Sequence, residues 1–316
     1  MRWGGAGLLN TSFPDRLAAL VEERRSQIVL GLDPDPAALW PGSAEDQPDA
    51  GADDAARLTG AAVARHCSAV IDAAGSECVA VKVQLACFER LGAPGWQALG
   101  DTIAAARAAG LLVIADGKRG DVPVTARAYA QAMVGQTPGP YGPVPGLGAD
   151  AFTANPLLGT DSLEPFAEAA GQAGAGVFCL VSTSNPGAAD FQDLPAPQAP
   201  LHEALAAAVD RLGADLVGDC GLSAIGAVTG ATRPERLTRL RDLMPKAIFL
   251  LPGVGAQGGS AADLGPAFAP HPAGGLVTAS RSIVGAHGQA GGDPAAAASA
   301  AARDLRAAAW RAATAA

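Results

Sequence analysis

Short apolar runs rich in Val, Ile, Leu and Phe recur along the chain, bounded by glycine, proline or charged residues. Longer Ala-rich stretches of helical periodicity lie between them. The runs fall at residues 27–33, 78–84, 111–116, 149–155, 176–183, 221–228, 247–254 and 275–280, and predict strands. The stretches at 54–73, 96–109, 124–134, 162–173, 201–212, 234–244 and 261–268 predict helices, and 295–313 closes the chain as another. Strands apolar along their whole length suit a parallel sheet covered by helices. Eight strand-and-helix units in one chain fit a closed (β/α)8 barrel better than an open, doubly wound sheet, which is the competing architecture. The expected fold class is therefore α/β, a (β/α)8 TIM barrel, with residues 1–316 as a single domain. Two stretches break the rhythm, 34–51 and 135–148, the latter with Pro138, Pro140, Pro143 and Pro145. Both read as long surface loops, because alternation resumes after each.

Composition narrows the function. Hydrophobic residues make up 49% of the 316 and charged residues 17%, which describes a well-buried globular protein. The 31 acidic residues against 22 basic give a net charge of −9, with no strongly basic stretch, so no nucleic-acid partner is expected. No signal-peptide core and no run of transmembrane length is found, so no membrane partner is expected and the expected location is the cytoplasm. The five cysteines, Cys67, Cys78, Cys87, Cys179 and Cys220, are scattered and mostly inside apolar runs. They read as reduced core residues. Only three lysines occur, Lys82, Lys118 and Lys246, against a background of arginine. Two of them end predicted strands.

In barrels of this kind the chemistry sits at the C-terminal ends of the strands. There the chain places Asp33, Lys82, Asp116, Lys118, Asp121, Asn155, Thr183, Ser184, Gln257 and Arg281. Asp116 and Lys118 are two apart, so an extended backbone points both to one side, and Lys82 ends the neighbouring strand. Two ammonium groups and at least one carboxylate should meet in the barrel mouth. Gly117 and Gly120 leave room for close packing or a positive φ.

The segment Asp116-Gly117-Lys118-Arg119-Gly120-Asp121-Val122, followed by Thr125, resembles the signature of the orotidine 5'-monophosphate decarboxylases, and the second bacterial type fits best. Further resemblance lies in Gly31-Leu32-Asp33-Pro34, Val81-Lys82-Val83-Gln84, Phe152 to Gly159, Thr183-Ser184-Asn185-Pro186-Gly187 and Leu251 to Gly259. It implies conversion of orotidine 5'-monophosphate to UMP and CO2, the last step of de novo UMP synthesis, with no metal and no organic cofactor. The four histidines, His66, His202, His271 and His287, show no metal-ligand spacing, and there is no Gly-rich dinucleotide fingerprint.

By the same resemblance Lys82, Asp116, Lys118 and Asp121 form a charged tetrad in which Lys118 donates the proton to C6. Asp121 and Thr125 reach the partner's site in a homodimer. Asp33 accepts from the ribose hydroxyls, and Ser184 bonds the pyrimidine edge, with Ser182 and Thr183 as neighbouring alternatives. Gln257, Gly258 and Arg281 hold the phosphate, between the last two strands, where such barrels commonly bind it. The Gly-rich stretch 253–259 offers backbone N–H groups for the same task. Asn155 and Arg119 are given no role, and the loops at 191–200 and 257–263 are the lid candidates. Three rival readings remain at this point. A Schiff-base aldolase would need Lys118 as a free amine, which flanking aspartates disfavour. A Mg2+-dependent sugar-phosphate enzyme on a similar barrel would be sensitive to EDTA. A catalytically dead nucleotide-binding regulator would be expected to lack part of the tetrad.

Overall fold

A computed structural model of the chain describes residues 11–44, 51–195, 197, 199–255 and 257–315. Eight parallel strands close a barrel in sequence order: β1 (Ile28–Leu32), β2 (Ala80–Gln84), β3 (Leu112–Arg119), β4 (Ala151–Ala154), β5 (Gly176–Ser182), β6 (Ser223–Thr229), β7 (Ala247–Pro252) and β8 (Gly275–Ala279). β8 returns to β1 with Val277 opposite Ile28, so no edge is left unpaired. Strand boundaries lie within a few residues of those predicted, and the barrel is confirmed over the open sheet.

The predicted helices are present, with two differences. Residues 261–268 form a 3-10 helix, where Pro266 removes a backbone donor and Gly265 weakens helical preference. Residues 234–244 begin as a 3-10 turn, Pro234–Arg236, before the helix Leu237–Leu243. The 135–148 stretch is a loop pinned by a short antiparallel ladder of Gln136–Thr137 against Val144–Pro145. In the 34–44 part of the other loop, Trp40 donates its backbone N–H to His66 Nδ1 at 3.1 Å and its indole N–H to the Val284 carbonyl at 2.9 Å. Residues 45–50 of that loop lie outside the described residues.

Several short elements were not anticipated, and one long one. Helix α1 (Phe13–Arg24) precedes the first strand and buries Phe13, Leu17, Ala18 and Val21. These pack with Val29, Ala80, Ile114, Phe178, Ile248 and Leu276, which point into the barrel, so α1 stoppers its lower end. Phe13 meets Phe178 edge-on at 6.0 Å. A second, larger apolar body fills the space between strands and outer helices. Below β7 and β8, the buried Arg241 guanidinium lies 3.8 Å over the Phe249 ring. It donates to the carbonyls of Met244, Ala247, Ala267 and Gly274 at 3.0, 2.7, 2.7 and 3.1 Å. Burial lowers its pKa to about 10.

All five cysteines are free thiols. Burial pushes Cys67, Cys78 and Cys179 up to about 12, as expected of core residues. No described helix is long and apolar enough to cross a membrane.

Candidate active site

The upper ends of the strands surround a cavity of about 530 Å3. Its wall includes Asp33, Lys82, Asp116, Lys118, Thr183, Ser184, Gln257 and Arg281, eight of the ten strand-end residues singled out in the sequence. Gly258, Asp121 and Thr125 are not part of that wall.

Three members of the expected tetrad form a connected row with Asp33. In the β2–β3 pairing Lys82 stands opposite Ile114 and Gln84 opposite Asp116, so both β2 side chains share a face with the aspartate. Lys82 Nζ lies 2.7 Å from Asp116 Oδ2 and 3.7 Å from Asp33 Oδ1. Lys118 Nζ lies 2.7 Å from Asp116 Oδ1. Gln84 Nε2 donates to Asp116 Oδ2 at 3.3 Å and Thr153 Oγ1 to Asp116 Oδ1 at 2.8 Å. Four donors thus occupy the carboxylate, about as many as its lone pairs can accept. Burial alone would raise the Asp116 carboxyl, but the two ammonium groups and their hydrogen bonds hold it down to about 2. Burial likewise opposes charge on Lys82, and Asp116 and Asp33 outweigh it, so its pKa is raised. The Lys82–Asp116 pair at the centre of the row is thereby held in its ionic form.

Asp116 and Lys118 do meet, although not through simple strand alternation. The β3–β4 register shifts between Ala115 and Arg119, and Lys118 adopts a left-handed backbone with φ of 46°. The positive φ thus falls on the lysine and not on its neighbouring glycines. Such a bulge re-aims a side chain beside a site. Gly120 is required for a different reason: a Cβ there would stand 2.8 Å from the Asn155 carbonyl oxygen. Lys118 keeps 43% of its side-chain surface exposed, so it reaches both the buried carboxylate and solvent.

Asp121 lies beyond the row, with Oδ1 accepting the Val122 N–H at 2.8 Å. Thr125 is exposed on the first turn of the helix Pro123–Met133. Val122 and Val124 after β3, and Leu157 and Leu158 in the 3-10 turn after β4, are exposed apolar side chains. Asn155 forms a turn, its Oδ1 accepting the Leu157 N–H at 3.1 Å. Arg119 pairs with Glu89 and lies 5.4 Å from the Tyr129 ring centroid.

Of the three adjoining hydroxyls after β5, Ser182 is buried in the strand. Thr183 Oγ1 is engaged by Gln192 Nε2 at 2.9 Å and donates to Asn185 Oδ1 at 2.7 Å. Ser184 lines the cavity. In the Gly-rich loop the N–H groups of Gly255, Gly258 and Gly259 bond to the loop's own carbonyls, at 2.9, 2.8 and 3.0 Å. Gly258, with φ of 92°, shapes the turn. These three N–H groups are therefore already engaged, whereas the Gln257 and Arg281 side chains line the cavity. Sequence reasoning gave no role to Gln84, Thr153 or Gln192. A hydroxyl in the otherwise apolar run Ala151-Phe152-Thr153-Ala154 is the signal that could have found Thr153.

The orotidine 5'-phosphate decarboxylase / HUMPS family model matches residues 26–301. The chain belongs to that family. It is 41% identical over 280 residues to orotidine 5'-phosphate decarboxylase of Rhodopirellula baltica, covering 87% of this chain and 89% of the relative. It is 46% identical over 220 residues to that of Deinococcus radiodurans, covering 69% and 76%. A solved Streptomyces avermitilis protein, described as a candidate orotidine 5'-phosphate decarboxylase, superposes with a TM-score of 0.78 at 32% identity over the full length of both chains. Membership of this decarboxylase family agrees with a cavity that holds both a lysine-aspartate row and Arg281.

Proposed function

We propose that the chain decarboxylates orotidine 5'-monophosphate to UMP and CO2 in pyrimidine biosynthesis, with Lys118 as the proton donor. The observation that carries this is an ammonium held at 2.7 Å on a buried carboxylate whose other oxygen is neutralised by Lys82. Breaking the C6–carboxylate bond leaves its electron pair on C6 as CO2 departs. A nearby ammonium stabilises that charge and delivers the proton that forms the new C6–H bond. Solvent access then lets Lys118 recover a proton. The reaction is redox-neutral, and the proposed mechanism uses no metal and no organic cofactor.

The remaining assignments follow the cavity. Asp33 accepts from the ribose hydroxyls and Ser184 bonds the pyrimidine edge. Gln257, on a loop whose turn depends on Gly258, and Arg281, just after β8, grip the phosphate. Asp121 and Thr125 serve the neighbouring site of a homodimer, where Asp121 faces the substrate carboxylate. Their position beyond this chain's cavity, beside exposed Val122, Val124, Leu157 and Leu158, supports that reading. The motifs favour the second bacterial type, and the expected location is the cytoplasm.

The test is the absorbance change as orotidine 5'-monophosphate becomes UMP, followed with purified protein in excess EDTA. Turnover that Lys118→Ala eliminates while UMP still binds is expected. No turnover by folded wild-type protein refutes the substrate, and EDTA-sensitive turnover refutes the metal-free mechanism.

A further inference from the structure

We propose that Thr153 is a positioning residue for the Lys118 ammonium; the inference rests on the reading of Lys118 as proton donor. Thr153 lies on β4 with 1% of its surface exposed, at the wall of the cavity. Its hydroxyl accepts the Lys118 backbone N–H at 2.8 Å and donates to Asp116 Oδ1 at 2.8 Å. The same Asp116 oxygen receives Lys118 Nζ at 2.7 Å. One hydroxyl therefore closes a loop of three hydrogen bonds that starts at the lysine's own backbone and returns to its side-chain nitrogen. The proton order is forced: a backbone N–H can only donate and an ionised carboxylate can only accept, so the hydroxyl proton points to Asp116.

This brace answers a specific need. Lys118 occupies a left-handed backbone conformation that residues with side chains rarely adopt. The register shift takes its N–H out of the regular β3–β4 ladder, and Thr153 supplies the acceptor that the ladder does not. Lys118 is also half-exposed, so packing does little to hold its long side chain. Its position depends on the fixed backbone at one end and the fixed Asp116 oxygen at the other, and Thr153 holds both. A proton donor displaced by about an ångström loses rate steeply while substrate affinity is little changed.

Thr153→Val keeps the shape and deletes the hydroxyl, and Thr153→Ser restores it. For T153V we expect kcat to fall about 10- to 100-fold, with KM and UMP affinity within about threefold of wild type. T153S should recover kcat to within about threefold. A crystal structure of T153V should show Lys118 out of the left-handed region or its Nζ beyond hydrogen-bond distance of Asp116. If T153V does not fold, Thr153→Ala deletes the same hydroxyl and is read identically. Wild-type kcat in T153V overturns the proposal, as does a loss that T153S fails to rescue or that UMP affinity shares in full. If wild type itself shows no turnover, the decarboxylase reading has failed, and the crystal structure then decides: unchanged Lys118 geometry in T153V overturns the brace.

Discussion

Asp116→Asn removes the one negative charge shared by two ammonium groups and leaves the side chain's shape almost intact. Asp116 is 4% exposed, and its carboxyl sits near 2 where an ordinary one sits near 3.8. That difference means the folded site favours carboxylate over neutral acid by roughly 2 kcal/mol, a lower bound for replacing it with a permanently neutral amide. Lys82 would keep only Asp33 at 3.7 Å, and removing one partner from a buried pair costs about 3–5 kcal/mol. The residual Asp33 contact places the expected loss at the low end of that range, about 3 kcal/mol, together with loss of turnover. Urea unfolding followed by circular dichroism at one protein concentration measures it. The pH dependence carries a sign. Because the folded pKa is depressed, the carboxylate's contribution is complete above the unfolded value near 3.8 and disappears as pH falls through about 2. The gap between wild type and D116N should therefore narrow over that window. D116N as stable as wild type at pH 7, or a gap that stays constant through the window, would refute the account of Asp116 as counterion to both lysines.

Other expectations divide the site and the scaffold. Arg281→Ala should weaken UMP binding by about 10- to 100-fold, the loss of a charge-assisted contact, with a smaller effect on turnover of a phosphate-free substrate; competition titration and kinetics separate the two. Mixed dimers of Lys118→Ala and Asp121→Ala chains should regain up to one intact site, and confirmed dimers without regained activity would count against Asp121 acting across the interface. Arg241→Met should destabilise the chain by about 3–5 kcal/mol in urea unfolding, since four carbonyls lose their donor, while UMP affinity of the folded fraction stays unchanged.

The barrel was legible in the sequence because its strands are buried on both faces, which writes each one as an apolar run, and because intervening helices are amphipathic. Site residues were legible because barrel chemistry gathers at strand ends, so Lys82, Asp116, Lys118 and Arg281 could be placed from position alone. Helix α1 carried a readable signal, Pro14 at its start and Phe13, Leu17, Ala18 and Val21 along one face. Its role did not follow from that pattern, because an apolar face does not say whether it covers a barrel or stoppers it. The left-handed backbone of Lys118 and the Thr153 brace were settled only in three dimensions. Local spacing fixes which side chains share a strand face, whereas a bulge and a hydrogen bond across strands depend on residues 35 positions apart meeting in register. The same holds for charge: the sequence supplies two lysines and two aspartates, and only their burial in one row decides that Asp116 stays ionised down to about pH 2.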